Sequence, residues 1–143
     1  MNIRPIIITT FTFISIKKDR FEAAEQLKIS PYLVVINEDM DVTGIITPGD
    51  LVKDQAIQLA DMNLHKPAAH PDHNISEVFD TMKNQGLDLM PVFENNVFTG
   101  VISLEKLTER LLNKAKELQH LYHQMLHDLR NPVSNIQGLM AIL

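Results

Sequence analysis

Apolar residues in this chain come first as short runs and then as one long regular stripe. The first run, Ile6-Ile7-Ile8-Thr9-Thr10-Phe11-Thr12-Phe13-Ile14, is β-branched and aromatic and predicts a strand. Phe21, Ala24 and Leu27 then recur at helical spacing and predict an amphipathic helix. A second apolar run covers Tyr32 to Ile36. Asn37-Glu38-Asp39-Met40-Asp41 follows as turn chemistry, and Val42 resumes the apolar pattern. Gly44-Ile45-Ile46-Thr47-Pro48-Gly49-Asp50-Leu51 then gives a Gly, two β-branched residues, a hydroxyl residue suited to cap a helix, and a Leu.

The plan returns further along as Gly100-Val101-Ile102-Ser103-Leu104-Glu105-Lys106-Leu107. Ahead of it, Ile75, Val78, Phe79 and Met82 predict a helix that repeats the one begun at Phe21 at nearly the same offset, with Asn74 or Asp72 as its cap. Leu89 to Phe93, Glu94-Asn95-Asn96 and Val97-Phe98 predict a hairpin like the first. Each half reads strand, helix, strand, strand, helix. Two copies are too few for a solenoid. The expectation is an α+β fold in which two repeats pack as a pseudo-symmetric pair over a shared sheet surface.

The long stripe runs from residue 104 to the last residue. Leu104, Thr108, Leu111, Ala115, Leu118, Tyr122, Met125, Leu129, Pro132, Ile136, Leu139 and Leu143 alternate steps of four and three, and only Thr108 is polar. A seam of this length predicts a coiled coil or helical bundle. A continuous helix from Ser103 would be about 60 Å long and would need a partner for its stripe, which a parallel homodimer supplies most simply. Pro132 removes one helical N–H and predicts a kink.

Composition narrows the classes. A net charge of −5 argues against nucleic-acid binding, and the absence of Cys excludes thiol catalysis and Cys-ligated zinc. The first apolar run is shorter than the roughly 20 residues that span a bilayer, and no small-residue cleavage site follows it. The expectation is a cytoplasmic protein without membrane association.

The repeat resembles the tandem CBS domain, an adenosine-ligand sensing module. The second copy carries the likeness more fully, through Lys66-Pro67, Pro71-Asp72, Met90-Pro91-Val92 and Gly100-Val101-Ile102-Ser103. The first copy has Val34-Val35 where the second has Pro91-Val92. The resemblance implies repeats at 1–58 and 59–112. It also implies a hydroxyl residue and an Asp at the start of the last helix of a repeat, the hydroxyl and helix end facing phosphate and the Asp accepting from ribose hydroxyls. Thr47 and Asp50 fit that motif. In the second copy Lys106 replaces the Asp, so one intact site is expected, for AMP, ADP, ATP or S-adenosylmethionine. Both Thr47 and Asp50 also suit plain helix capping.

His127-Asp128-Leu129-Arg130-Asn131-Pro132 resembles the phosphoacceptor box of sensor histidine kinases. By that likeness 113–143 would be the first helix of a dimerisation and phosphoacceptor domain. His127 would be the phosphorylated residue, Asp128 a general base that hydrogen-bonds the ring, and Asn131 the position acting in dephosphorylation of the partner. The seam puts His127 on the outer face of the helix. The partners implied are a response regulator and a kinase catalytic domain that would bring ATP and Mg; the sequence holds no glycine-rich ATP lid. The whole would be the sensory front end of a two-component histidine kinase. The alternative is a non-enzymatic regulatory module that binds a nucleotide and dimerises through its helix. A third reading uses His120, His123 and His127, spaced i, i+3, i+7, as metal ligands. His70 and His73 flank Pro71 in a predicted loop.

Overall fold

The computed structural model describes residues 1–130. They form two units, 1–107 and the unit that starts at Thr108. In the first unit, β1 (Thr12–Ser15), α1 (Arg20–Leu27), β2 (Leu33–Ile36), β3 (Val42–Ile46) and α2 (Pro48–Lys53) make the first repeat. The second holds α3 (Ile75–Gln85), β4 (Leu89–Glu94), β5 (Val97–Ser103) and the start of α4 (Leu104–Arg130). β1 lies parallel to β2 with α1 as the crossover, and β3 runs antiparallel to β2. β4 and β5 form an antiparallel pair.

Local chemistry sets these elements. Asn37 Oδ1 accepts the Asp39 and Asp41 N–H groups at 3.0 and 2.9 Å and shapes the β2–β3 turn. Asn95 and Asn96 both take positive φ, the signature of a two-residue hairpin loop whose twist matches its strands. Asn74, not Asp72, caps α3 by accepting from the Ser76 N–H, and Gly86 ends that helix at φ 64°.

Three sequence expectations need correction. The first strand starts at Thr12 rather than Ile6: Arg4–Ile6 is a short 3-10 turn with Pro5 in it, and Ile8 leaves to pair with Val101 in the other half. The first strand of the second repeat shrinks to one bridge, Ala69 to Val92, because Pro67 and Pro71 flank it and lack the N–H a ladder needs. On α1 the inward face is Ala23 with Leu27, at i and i+4, and Phe21 is 65% exposed.

The core follows strand alternation. Leu33, Val35 and Ile46 face Ile14, Ala23, Leu59 and Met62 on one side of the first sheet. Tyr32, Val34 and Ile45 face Val101 of the second repeat on the other, with Ile8, Phe11 and Phe98 packed against them. A central strand buried on both faces explains the unbroken Tyr32–Ile36 run.

The lead-in segments cross over. Ile8 exchanges two backbone hydrogen bonds with Val101, and the Ile3 N–H donates to the His73 carbonyl at 3.1 Å. Arg4 bonds Glu94 and Asp72, which raises its pKa, and the bond to Arg4 holds Asp72 below the usual carboxylate value. A Cβ on Gly100 would collide with the Ile8 carbonyl and lie 2.6 Å from Ile7 Cγ2. Gly44 has the reciprocal contact, the Leu64 carbonyl 3.3 Å from an added Cβ. The interval from Ile8 to Leu64 equals that from Gly44 to Gly100, so the two contacts match in the repeat. Each repeat is therefore touched, at its own β-strand glycine, by the segment leading into the other.

In the second unit α4 runs on to Arg130. Leu118, Leu121, Tyr122, Met125 and Leu129 are exposed, each by more than half. Among the described residues no helix is long and apolar enough to cross a membrane.

Candidate functional site

Thr47 follows β3 in an extended conformation and caps α2. Its Oγ1 accepts the Asp50 N–H at 3.4 Å, while Asp50 Oδ2 accepts the Thr47 N–H at 2.8 Å and the Thr47 hydroxyl at 3.0 Å. This is a reciprocal capping box. Pro48 sits at the first helical position, where no intrahelical donor is needed. The two residues singled out in the sequence are thus brought together, with Asp50 bonded to both the N–H and the hydroxyl of Thr47.

A third residue completes the cluster. Lys66, from the segment leading into the second repeat, donates to Asp50 Oδ2 at 2.9 Å and to the Ile45 carbonyl at 3.0 Å. The side chains of Lys66 and Asp50 are 8% and 17% exposed. In the sequence Lys66 stood out only as a repeat marker beside Pro67; its pairing with Asp50 links positions 16 apart across the crossover.

The other end of α2 is fixed as well. Arg20 donates to the carbonyls of Leu51 (2.6 Å), Asp54 (2.8 Å) and Ala56 (3.2 Å). The Asp54 carboxylate accepts the Ala56 and Asn63 N–H groups, and these bonds lower its pKa. No sequence motif announces either residue; both act on backbone groups of a loop whose path the tertiary fold sets.

A cavity of about 450 Å³ is lined by Ile8, Thr10, Phe11, Thr12, Ser30, Pro31 and Tyr32. The Tyr32 hydroxyl donates to the Thr10 carbonyl at 2.9 Å, and burial pushes the phenol above its ordinary pKa. Tyr32 precedes Leu33, and Leu33 pairs with Ile46 just before Thr47. The cavity and the capping box therefore lie at the same end of the first sheet.

At the matching place in the second repeat, Ser103 Oγ accepts the Lys106 N–H at 3.1 Å. The backbone job is the same. Lys106 follows Ser103 as Asp50 follows Thr47, so no carboxylate is present at that position.

On α4, His127 is 80% exposed on its side chain, and its Nδ1 lies 3.8 Å from Asp128 Oδ1. That is ion-pair distance and too long for the expected hydrogen bond. Asn131 lies outside the described residues. Among the described residues, no group of three or more His, Cys, Asp and Glu is placed to hold a metal ion, so His120, His123 and His127 do not converge. His70 and His73 instead serve their turn, each accepting a backbone N–H at Nδ1 at 3.1 Å.

Comparison with known proteins gives one family. The CBS domain model matches residues 3–56 and again 59–113. The CBS domain pair of protein MJ0100, solved with 5′-methylthioadenosine and S-adenosyl-L-methionine, is 20% identical, with 80% of this chain and 98% of that one covered at a TM-score of 0.69. An uncharacterized conserved protein from Pyrococcus horikoshii is 20% identical, covering 76% and 90% at 0.66. The CBS domains of a transcriptional regulator from Streptococcus pneumoniae are 18% identical, covering 76% and 98% at 0.62. At these identities the likeness is one of fold. No curated protein matches the sequence.

Proposed function

Since the chain belongs to the CBS domain family, with both repeats of the pair present, we propose that it is a regulatory module that binds one adenosine-type ligand at Thr47 and Asp50 and dimerises through α4. The observation that carries this is the Asp50 carboxylate, fixed by its capping box with Oδ2 filled by Thr47 and Lys66. Its Oδ1 takes none of those bonds and is a good acceptor for a ribose diol. The cavity near Phe11 and Tyr32 offers aromatic surface at the same end of the sheet, of a size suited to a small ligand. The MJ0100 pair holds two adenosine compounds, which supports the ligand class. Calorimetric titration with AMP, ATP, S-adenosylmethionine and 5′-methylthioadenosine tests the site. An Asp50→Ala protein that keeps full affinity for all of them ends the assignment.

The dimer arm rests on the exposed seam, Leu118, Tyr122, Met125 and Leu129, which a second copy of α4 would cover. A Leu118→Glu protein should sediment as a monomer; an unchanged dimer would remove α4 from the interface.

A second reading has its own observation, the exposed His127 beside the Asp128 carboxylate. In it, His127 accepts phosphate from a separate histidine kinase catalytic domain and passes it to a response regulator. Incubation with ATP, Mg and such a domain should then give acid-labile phosphate that a His127→Gln protein lacks. No label, where a control phosphoacceptor labels, leaves the module as a regulator without phosphotransfer.

A further inference from the structure

Lys66 is the residue at this site whose chemistry the capping box does not account for. Thr47 and Asp50 satisfy each other without it. Its ammonium is nonetheless drawn out of solvent and bonded to one carboxylate oxygen and one backbone carbonyl. An ammonium has three N–H donors, so one is left after these two bonds. A cation in that position is stabilised by Asp50, and each further donor to the carboxylate beyond Thr47 weakens that hold.

Binding of a ribose changes that balance. Diol hydroxyls that donate to Oδ1 draw on the same carboxylate charge. The 5′ substituent hangs from the same ring, so a ligand anchored by its diol carries that substituent close to the pair. An anionic substituent would meet the remaining Lys66 donor in a poorly solvated place, where charge-assisted bonds are strong. A neutral or positively charged substituent would meet only an ammonium that has lost part of its counter-charge. α2 has six residues and is too short to supply much of this field itself.

The second repeat shows the arrangement is local to the first. Lys106 stands where Asp50 stands, and Thr10 occupies the place in the first lead-in that Lys66 occupies in the second. No carboxylate–ammonium pair can form there from those positions.

We propose that Lys66 selects the ligand of the Thr47–Asp50 site, and that the class it selects is a 5′-phosphorylated adenosine over neutral or sulfonium-bearing adenosines. This rests on the reading of that site as an adenosine site. The test is calorimetry on the 143-residue chain with AMP, adenosine, 5′-methylthioadenosine and S-adenosylmethionine. AMP should bind about tenfold tighter than adenosine or 5′-methylthioadenosine, the size of effect a charge-assisted bond gives. Lys66→Met should collapse the AMP-to-adenosine ratio to about one, chiefly by loss of AMP affinity. Lys66→Arg should keep it. The wild-type ratio needs no variant to fold, and equal affinities for AMP and adenosine overturn the inference while leaving the adenosine site standing. Tighter adenosine binding by Lys66→Met also overturns it, since Lys66 would then compete with the diol. Binding of neither AMP nor adenosine by wild type removes the site reading and the inference together.

Discussion

At the end of β3, Thr47 caps α2, Asp50 closes the box, and Lys66 reaches across from the other half to bond Asp50. At the end of β5, Ser103 caps α4 through the Lys106 N–H, and Lys106 itself is exposed. The hydroxyl residue does the same backbone work in both places. What differs is the residue three positions on, a carboxylate acceptor at Asp50 and an ammonium donor at Lys106. In the proposed site helix capping and ligand binding would use overlapping residues, whereas the second repeat keeps the capping alone. The helices part ways too. α2 stops at Lys53, where Arg20 takes up the carbonyls of Leu51, Asp54 and Ala56, whereas α4 continues to Arg130. α3, the counterpart of α1, contains no arginine to do likewise.

The glycine pair gives the largest expected effect. Gly100→Ala drives a methyl into the Ile8 backbone, where no side chain can yield, and should cost on the order of 4 kcal/mol in urea unfolding. Gly44→Ala meets Leu64 at 3.3 Å and should cost about 1 kcal/mol. Equal losses would mean that the two crossovers are not the unequal contacts described. The helix pair comes next. Ile75→Ala empties a buried position and should lose about 3 kcal/mol, while Phe21→Ala, on the exposed side of α1, should stay within about 0.5 kcal/mol. Lys66→Met removes one member of a buried ion pair that still has some solvent at Asp50, and about 2 kcal/mol is expected. Lys106→Met, at an exposed position, should be close to neutral by the same measurement. The smallest effect is a pH dependence. The folded pKa of Asp54 lies below its ordinary value, so its contribution is present above about pH 4 and is lost as pH falls through the folded pKa. The stability gap between wild type and Asp54→Asn should therefore shrink in acid; a gap constant from pH 6 to pH 2 would contradict the carboxylate's bonds to Ala56 and Asn63.

The repeat was legible because it is written in residues that do local work. Gly44 and Gly100 clear a backbone approach, Thr47 and Ser103 cap, and Asn95-Asn96 turn the chain. Periodicity found α3, whose stripe is regular, and misjudged α1, where two turns of helix give too few apolar positions to fix a face. The Thr47–Asp50 contact was legible because its partners are three residues apart. Lys66, Arg20 and the Tyr32 cavity were not, since each depends on segments 16 to 36 residues apart meeting in space. The strand expected at Ile6 failed for a related reason: Ile8 pairs with Val101 of the other repeat, and propensity does not say with whom a residue pairs.

The crossed lead-in segments have an evolutionary corollary. Half of this chain, expressed alone, would carry a leading segment with nothing to bind and a β-strand glycine with nothing against it. Two identical halves could satisfy both needs by trading their leading segments, as domain-swapped subunits do. The repeated chain then reads as such a swapped pair made covalent. A covalent link leaves the two halves free to differ, since neither has to serve as the other's mirror image, and Asp50 and Lys106 do differ.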